Sequence, residues 1–242
     1  MANVGLHSAA SGVISYQTAL DVTANNIANV NTYGFKSSRA SFSELLYTER
    51  GVNDEVHTGH GTRVDKTDLM FEQSALRETG RILDFAAMGE GVFAIQDQFG
   101  EIVYTKDGSF NITETSEGVW ELCDNSHGFV LDYEGNHIII PFIEGTDNID
   151  AAALADMVGV YTFENPYGLD QIGSNYFQAN ESSGPATVNI DVAKKQGFVE
   201  ASSTNVATEM TKVIEFQRAF QLNISMIKIH DELGSIVNGL RN

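Results

Sequence analysis

Residues 24–36 read Ala24-Asn25-Asn26-Ile27-Ala28-Asn29-Val30-Asn31-Thr32-Tyr33-Gly34-Phe35-Lys36, or ANNIANVNTYGFK. Four asparagines in thirteen residues suit a helix interior poorly, because the short amide competes for nearby backbone groups. Yet an apolar rhythm runs into this stretch from upstream. Leu6, Val13, Leu20 and Ile27 recur every seven residues, Ala10 and Ala24 fill intermediate positions, and Gln17 is a polar break. That is a heptad-like seam. It predicts an N-terminal helix that ends by Asn31, with Gly34 suited to the turn beyond it. Much of the remaining surface of this helix is small or polar and uncharged, including Ser8, Ala9, Ser11, Gly12, Ser15, Thr18 and Ala19. Such a surface lets neighbours approach closely.

The C-terminal forty residues repeat the rhythm. Val206, Val213, Phe220 and Ile227 are again seven apart, with Met210 and Ile224 between them. A second apolar phase continues through Met226, Ile229, Leu233, Ile236 and Leu240. Ser202 or Ser203 would serve as N-cap, with Asn205 as a later alternative. The helix is expected to run about 35 residues, or roughly 50 Å. Between the two ends the pattern changes to short alternating or apolar runs joined by Asp/Gly turns, such as Gly91–Gln96, Glu101–Thr105 and Phe129–Leu131. These are hairpin signals. Further strands are expected within Val158–Phe163, Tyr176–Ala179 and Thr187–Val192, and a short helix or loop at Asp147–Asp156. All three prolines fall in this middle part. The expected class is α+β: paired N- and C-terminal helices form one segment, with a mostly antiparallel β middle domain. The expected division is 1–36 for the N-terminal helix, 37–80 for an extended linker, 81–195 for the β domain and 196–242 for the C-terminal helix.

The charge follows the same division. The chain carries −19 in total. Residues 1–36 hold Asp21 and Lys36 and are neutral, and residues 200–242 hold five acids against four bases and carry −1, which leaves −18 on residues 37–199. An acidic middle is a poor nucleic-acid surface, so no nucleic-acid partner is expected. No apolar run approaches the length of a membrane span, so no direct membrane insertion is expected. The neutral ends are compatible with packing against other chains. The single cysteine, Cys123, lies in the strand-like run Trp120–Cys123 and reads as a small core residue.

Chemistry-bearing patterns are sparse. His57-Thr58-Gly59-His60 spaces two histidines by three residues but has no further ligand nearby, so it reads as a solvated loop and not a metal site. Asp97–Gly100 and Asp132–Gly135 lack the alternating acids and terminal glutamate of a calcium loop, and hairpin turns explain them. There is no nucleophile-elbow or phosphate-binding glycine motif. No catalytic residue, metal or cofactor is expected.

The ordered set of motifs resembles one family. ANNIANVNTYGFK is similar to the N-terminal signature of the bacterial flagellar rod proteins. Gly197-Phe198-Val199-Glu200-Ala201-Ser202, Glu209-Met210, Ile214 and Gln217–Asn223 resemble their C-terminal signature. Leu76–Gly80 with Leu83-Asp84, Gly89–Phe93, Tyr104–Phe110, Phe163–Leu169 and Ser182-Ser183-Gly184 are similar to the β domain between. Ser202-Ser203-Thr204 departs from the usual Ser-Asn-Val triplet, Phe71–Ser74 from the usual Gln-Gly pair, and Asp84–Met88 is also unusual.

The resemblance implies a structural rod subunit, not an enzyme. It implies a helical homopolymer built through the terminal helices, with the acidic β domain outward. Hook or hook-junction protein is the neighbouring alternative, and a secreted β-domain enzyme or binding module a more distant one. The implied partners are other copies of the chain, other rod and hook proteins, basal-body ring proteins and the flagellar type III export apparatus. The implied location is the basal body in the periplasm, reached without a cleaved signal peptide. Leu6, Val13, Leu20, Ile27, Val206, Val213, Phe220 and Ile227 are then the expected helix-pairing residues. Asn25, Asn26, Asn29, Gln217, Arg218 and Asn223 are the expected polar assembly contacts.

Overall fold

A computed structural model describes residues 2–49, 57–115, 118–143, 148–173, 175–190 and 192–240. In chain order the elements are α1 (Ala2–Ala28), β1 (Ser38–Glu44), β2 (Tyr47–Glu49), β3 (His57–Gly59), β4 (Thr62–Leu69), β5 (Leu76–Glu78) and β6 (Phe85–Ala87). Then come β7 (Phe93–Gln96), β8 (Ile102–Thr105), β9 (Asn111–Glu114), β10 (Trp120–Cys123), β11 (Phe129–Val130) and α2 (Ala151–Met157). The chain closes with β12 (Tyr161–Thr162), β13 (Asp170–Gly173), β14 (Tyr176–Gln178), β15 (Thr187–Val188), β16 (Lys194–Gln196), β17 (Phe198–Glu200) and α3 (Val206–Leu240). This is the α+β arrangement the sequence predicts. The chain forms two compact units: a helical unit of residues 1–28, 38–68 and 205–242, and a β unit of residues 29–37 and 69–204.

In the helical unit α1 packs along α3. Asn26 meets Glu209 and Gly12 meets Asn223, so the helices run antiparallel. The third component is β1 paired with β4. The segment 37–80, expected as a linker, is extended but paired: β1 with β4, β2 with β3, and β5 with β17. Its apolar residues are few, so periodicity carried little signal there. His57–Gly59, read as loop, is strand β3. Rings of Tyr16, Phe42 and Phe216 meet at centroid distances of 5.5 to 6.2 Å and join α1, β1 and α3. The cap of α3 is Asn205, whose Oδ1 accepts the Thr208 N–H at 3.2 Å. Ser202 and Ser203 instead serve the loop before it, where the Ser203 Oγ accepts the Ser37 N–H at 2.7 Å.

The β unit is built on a seven-stranded sheet in the order β13-β14-β8-β7-β11-β10-β9. Each of its strand pairs is antiparallel. Successive side chains of a strand point to opposite faces. Phe93 and Ile95 accordingly enter one apolar cluster, with Val103, Phe110, Leu122 and Val130. Val92 and Ala94 enter the other, with Phe71, Tyr104, Phe163 and Phe177. Both faces of the central strands are covered, which is why β7 and β8 read as apolar runs and not as clean alternation. The Asp150 side chain caps α2 by accepting the N–H groups of Ala152 and Ala153, both at 3.1 Å. Leu154 and Val158 bury into the first cluster. Cys123 is buried, and burial raises its thiol pKa.

Candidate assembly surfaces and the buried ionic centre

The helical unit carries most of the residues expected to act. In α1 the deepest face is not the apolar seam. Ala9, Gly12, Ser15, Ala19, Thr23 and Asn26 are buried, while Leu6, Val13, Leu20 and Ile27 flank them half-buried. The physical reason is close approach. The Ser15 Oγ donates to the Thr62 carbonyl at 3.1 Å, so a strand backbone lies directly against the helix. A Cβ on Gly12 would stand 2.8 Å from the Asn223 Oδ1. Only small side chains leave room for both neighbours.

Val213, Phe220 and Ile227 of α3 are half-buried; Val206, in its first turn, is exposed. Of the amides, Asn26 is almost fully enclosed. Its Nδ2 donates to the Ser38 carbonyl at 2.7 Å and to the Glu209 Oε2 at 3.1 Å, and its Oδ1 accepts the Ser38 N–H at 3.0 Å. That amide is engaged within the chain, between α1, β1 and α3. Asn223 is half-buried and donates to the Ala219 carbonyl at 2.9 Å. Asn29 holds the turn after α1, where its Oδ1 accepts the Thr32 hydroxyl at 3.2 Å. Asn25, Gln217 and Arg218 are exposed.

A second face of α3 is apolar and open to solvent. Leu222, Met226, Ile229, Leu233, Ile236 and Leu240 alternate spacings of four and three and are 49% to 82% exposed. This is a heptad seam with no partner among the described residues of the helical unit. Length contributes to it. Seventeen residues of α3 follow Asn223 and only ten of α1 precede Gly12, so α3 outruns its partner by about two turns.

The β unit holds a feature that periodicity did not reveal. Lys36, Lys106 and Glu200 are each no more than 1% exposed. The Lys36 Nζ donates to the Glu200 Oε1 and to the Glu72 carbonyl, both at 2.6 Å. The same Glu200 oxygen accepts the Ser74 N–H at 2.7 Å. The Lys106 Nζ lies 3.3 Å from the Glu200 Oε2 and donates to the Gly89 carbonyl at 2.6 Å and the Ala87 carbonyl at 3.2 Å. The Phe71 ring stands 5.4 Å and 5.9 Å from the two ammonium groups. Burial pulls the Lys106 pKa down to about 8, against the attraction of Glu200 and with the repulsion of Lys36. The only signal for this centre was one charged residue set in each of three otherwise uncharged or apolar words: TYGFK, the end of IVYTK and GFVEAS.

Among the described residues no cluster of His, Cys, Asp and Glu could hold a metal ion, and no helix is long and apolar enough to cross a membrane.

Comparison with known proteins agrees with the two helical ends. Residues 6–36 match the family described as flagella basal body rod protein, and residues 195–240 match the flagellar basal body rod FlgEFG protein C-terminal family. The flagellar basal-body rod protein FlgG of Bacillus subtilis is 36% identical, over 94% of this chain and 95% of its own length. The FlgG of Borreliella burgdorferi is 33% identical over 98% of each chain, and the FlgF of Mesorhizobium japonicum is 30% identical over 92% of this chain and 91% of its own. With such relatives along nearly its whole length, the chain belongs to the flagellar basal-body rod protein family, whose members are structural subunits and not enzymes.

Proposed function

We propose that this rod subunit polymerises through α1 and α3 into a helical tube that serves as a drive shaft. The observation that carries this reading is the exposed heptad seam of α3. Apolar area of that length stabilises a contact by about 25 cal/mol for each Å² removed from water. A head-to-tail contact that does not close into a ring extends into a filament. Asn25, Gln217 and Arg218 lie on exposed helix surface and set register between copies, while Asn26, Asn29 and Asn223 fix geometry within one copy. The half-buried seam of Leu6, Val13, Leu20 and Ile27 pairs with Val213, Phe220 and Ile227. Val206 meets a neighbouring copy.

The subunit assembles with other rod and hook proteins in the basal body. It reaches the periplasm through the flagellar type III export apparatus, without a cleaved signal peptide, and its acidic β unit makes lateral contacts there, with ring proteins among its partners. The test is a double substitution, Ile229→Asp with Leu233→Asp, in the full chain. At high concentration the unaltered protein is expected to sediment as polymer. The variant is expected to remain monomeric with unchanged helix content by circular dichroism. In cells lacking the gene, it is expected not to restore motility. A variant that polymerises and restores motility like the unaltered chain overturns the reading.

A further inference from the structure

We infer that Glu200 is an ionic keystone of the β unit: the unit closes only when β17 carries this carboxylate between Lys36 and Lys106. The two lysines stand 70 residues apart in sequence, and Glu200 lies 94 residues beyond the second. All three are sealed from solvent. Burying an ammonium group without a counter-charge costs several kcal/mol after relaxation. Burying two near each other costs more, because they also repel. The carbonyls of Glu72, Ala87 and Gly89 and the ring of Phe71 give each cation partial neutral compensation. Among the described residues, only Glu200 supplies negative charge within salt-bridge distance of both.

Its two oxygens divide the task. Oε1 is fully engaged by Lys36 and the Ser74 N–H. Oε2 is enclosed and makes no hydrogen bond of good geometry, so its stabilisation is the charge of Lys106 at 3.3 Å. The backbone of β17 reinforces the same closure. Glu200 pairs with Leu76 in β5, and its carbonyl accepts the Gly34 N–H at 2.8 Å. One residue therefore ties the loop after α1, the segment at 72–76 and the strand end at Lys106.

The consequence concerns order of folding. A chain that emerges N-terminus first holds Lys36 and Lys106 in water until residue 200 is available. The apolar faces of the sheet cannot seal over the two lysines before then. The β unit is thereby kept open during synthesis and closes late. This inference does not rest on the polymerisation reading.

A double-mutant cycle in the full-length protein separates charge coupling from packing. Hydrogen exchange by mass spectrometry is read on β7 and β8 in the unaltered chain, Glu200→Gln, Lys106→Met and the double variant. Glu200→Gln keeps the shape and leaves two uncompensated cations, so protection is expected to fall at least 100-fold. Adding Lys106→Met removes one of those cations and is expected to restore at least 10-fold. Unaltered protection in Glu200→Gln, or a double variant no better protected than Glu200→Gln, overturns the keystone. Where Glu200→Gln yields no folded protein, the double variant decides: protected strands support the inference and an unfolded chain overturns it.

Discussion

At the scale of single residues, Gly34 shows how a turn residue becomes irreplaceable. Its φ is +66°, in the left-handed region that favours glycine. Its surroundings add a second demand. A Cβ there would lie 2.4 Å from both the Asp107 N and the Lys106 carbonyl carbon. Those are backbone atoms and cannot swing aside. Backbone strain of this kind costs roughly 1–3 kcal/mol by itself, and the overlap adds to it. Gly34→Ala is therefore expected to lower stability by about 3 kcal/mol or more, read as a drop in the urea midpoint of the full chain. A change within about 0.5 kcal/mol, the range of ordinary surface substitutions, would show that the Lys106–Asp107 backbone is not held as tightly as these distances require. Sequence alone marked Gly34 as a helix-ending turn. It could not show that the reason is a second backbone segment more than seventy positions away.

At the scale of elements, the two terminal helices and the hairpin-rich middle were legible because hydrophobic period distinguishes helix from strand. What periodicity misjudged was depth. It pointed to Leu6, Val13, Leu20 and Ile27, whereas Ala9, Gly12, Ser15, Ala19, Thr23 and Asn26 are more buried. Small residues leave no apolar signature, and the strand pair that presses on them reads as polar linker. The buried ionic centre was missed for a related reason: its members are scattered singly, and only tertiary structure brings them together. Asn26 tests how far the three elements depend on one amide. Removing it leaves the Ser38 N–H and carbonyl without their side-chain partner in an enclosed site. Each hydrogen bond lost is worth about 0.5–1.5 kcal/mol, and about 1.5–3 kcal/mol for the one to the Glu209 carboxylate, so Asn26→Ala is expected to cost about 2–4 kcal/mol. Asn26→Asp keeps the acceptor but places a negative oxygen against the Ser38 carbonyl and Glu209. It is expected to be at least as damaging. Thermal unfolding followed at 222 nm would rank the two, and an aspartate variant clearly more stable than the alanine one would contradict the donor role assigned to Nδ2.

For the whole molecule, the excess buried cation predicts an unusual response to pH. The folded pKa of Lys106 is about 8, below its ordinary 10.5. Below pH 8 both folded and unfolded chains hold the proton, and the cost of burying it is present in full. Between pH 8 and 10.5 the unfolded chain keeps a proton that the folded chain has released, so stability rises with pH. At 1.36 kcal/mol per pKa unit, the full rise is about 3 kcal/mol. An opposing effect begins near pH 9, where burial keeps the Cys123 thiol protonated in the folded chain after the unfolded chain has released its proton, and it strengthens near pH 10. Burial lifts Tyr161 to about 12, with Asp132 adding to it, and Tyr176 moves in the same direction through burial and its hydrogen bond to Asp124. A phenol whose folded pKa is raised stabilises fully below its unfolded value and loses that contribution as pH rises through the folded one. Stability from urea titrations is thus expected to climb above pH 8, flatten above pH 9 as the thiol opposes the lysine, and fall beyond about pH 10. Lys106→Met should abolish the climb and leave the fall. A climb that persists in Lys106→Met would assign it to another group.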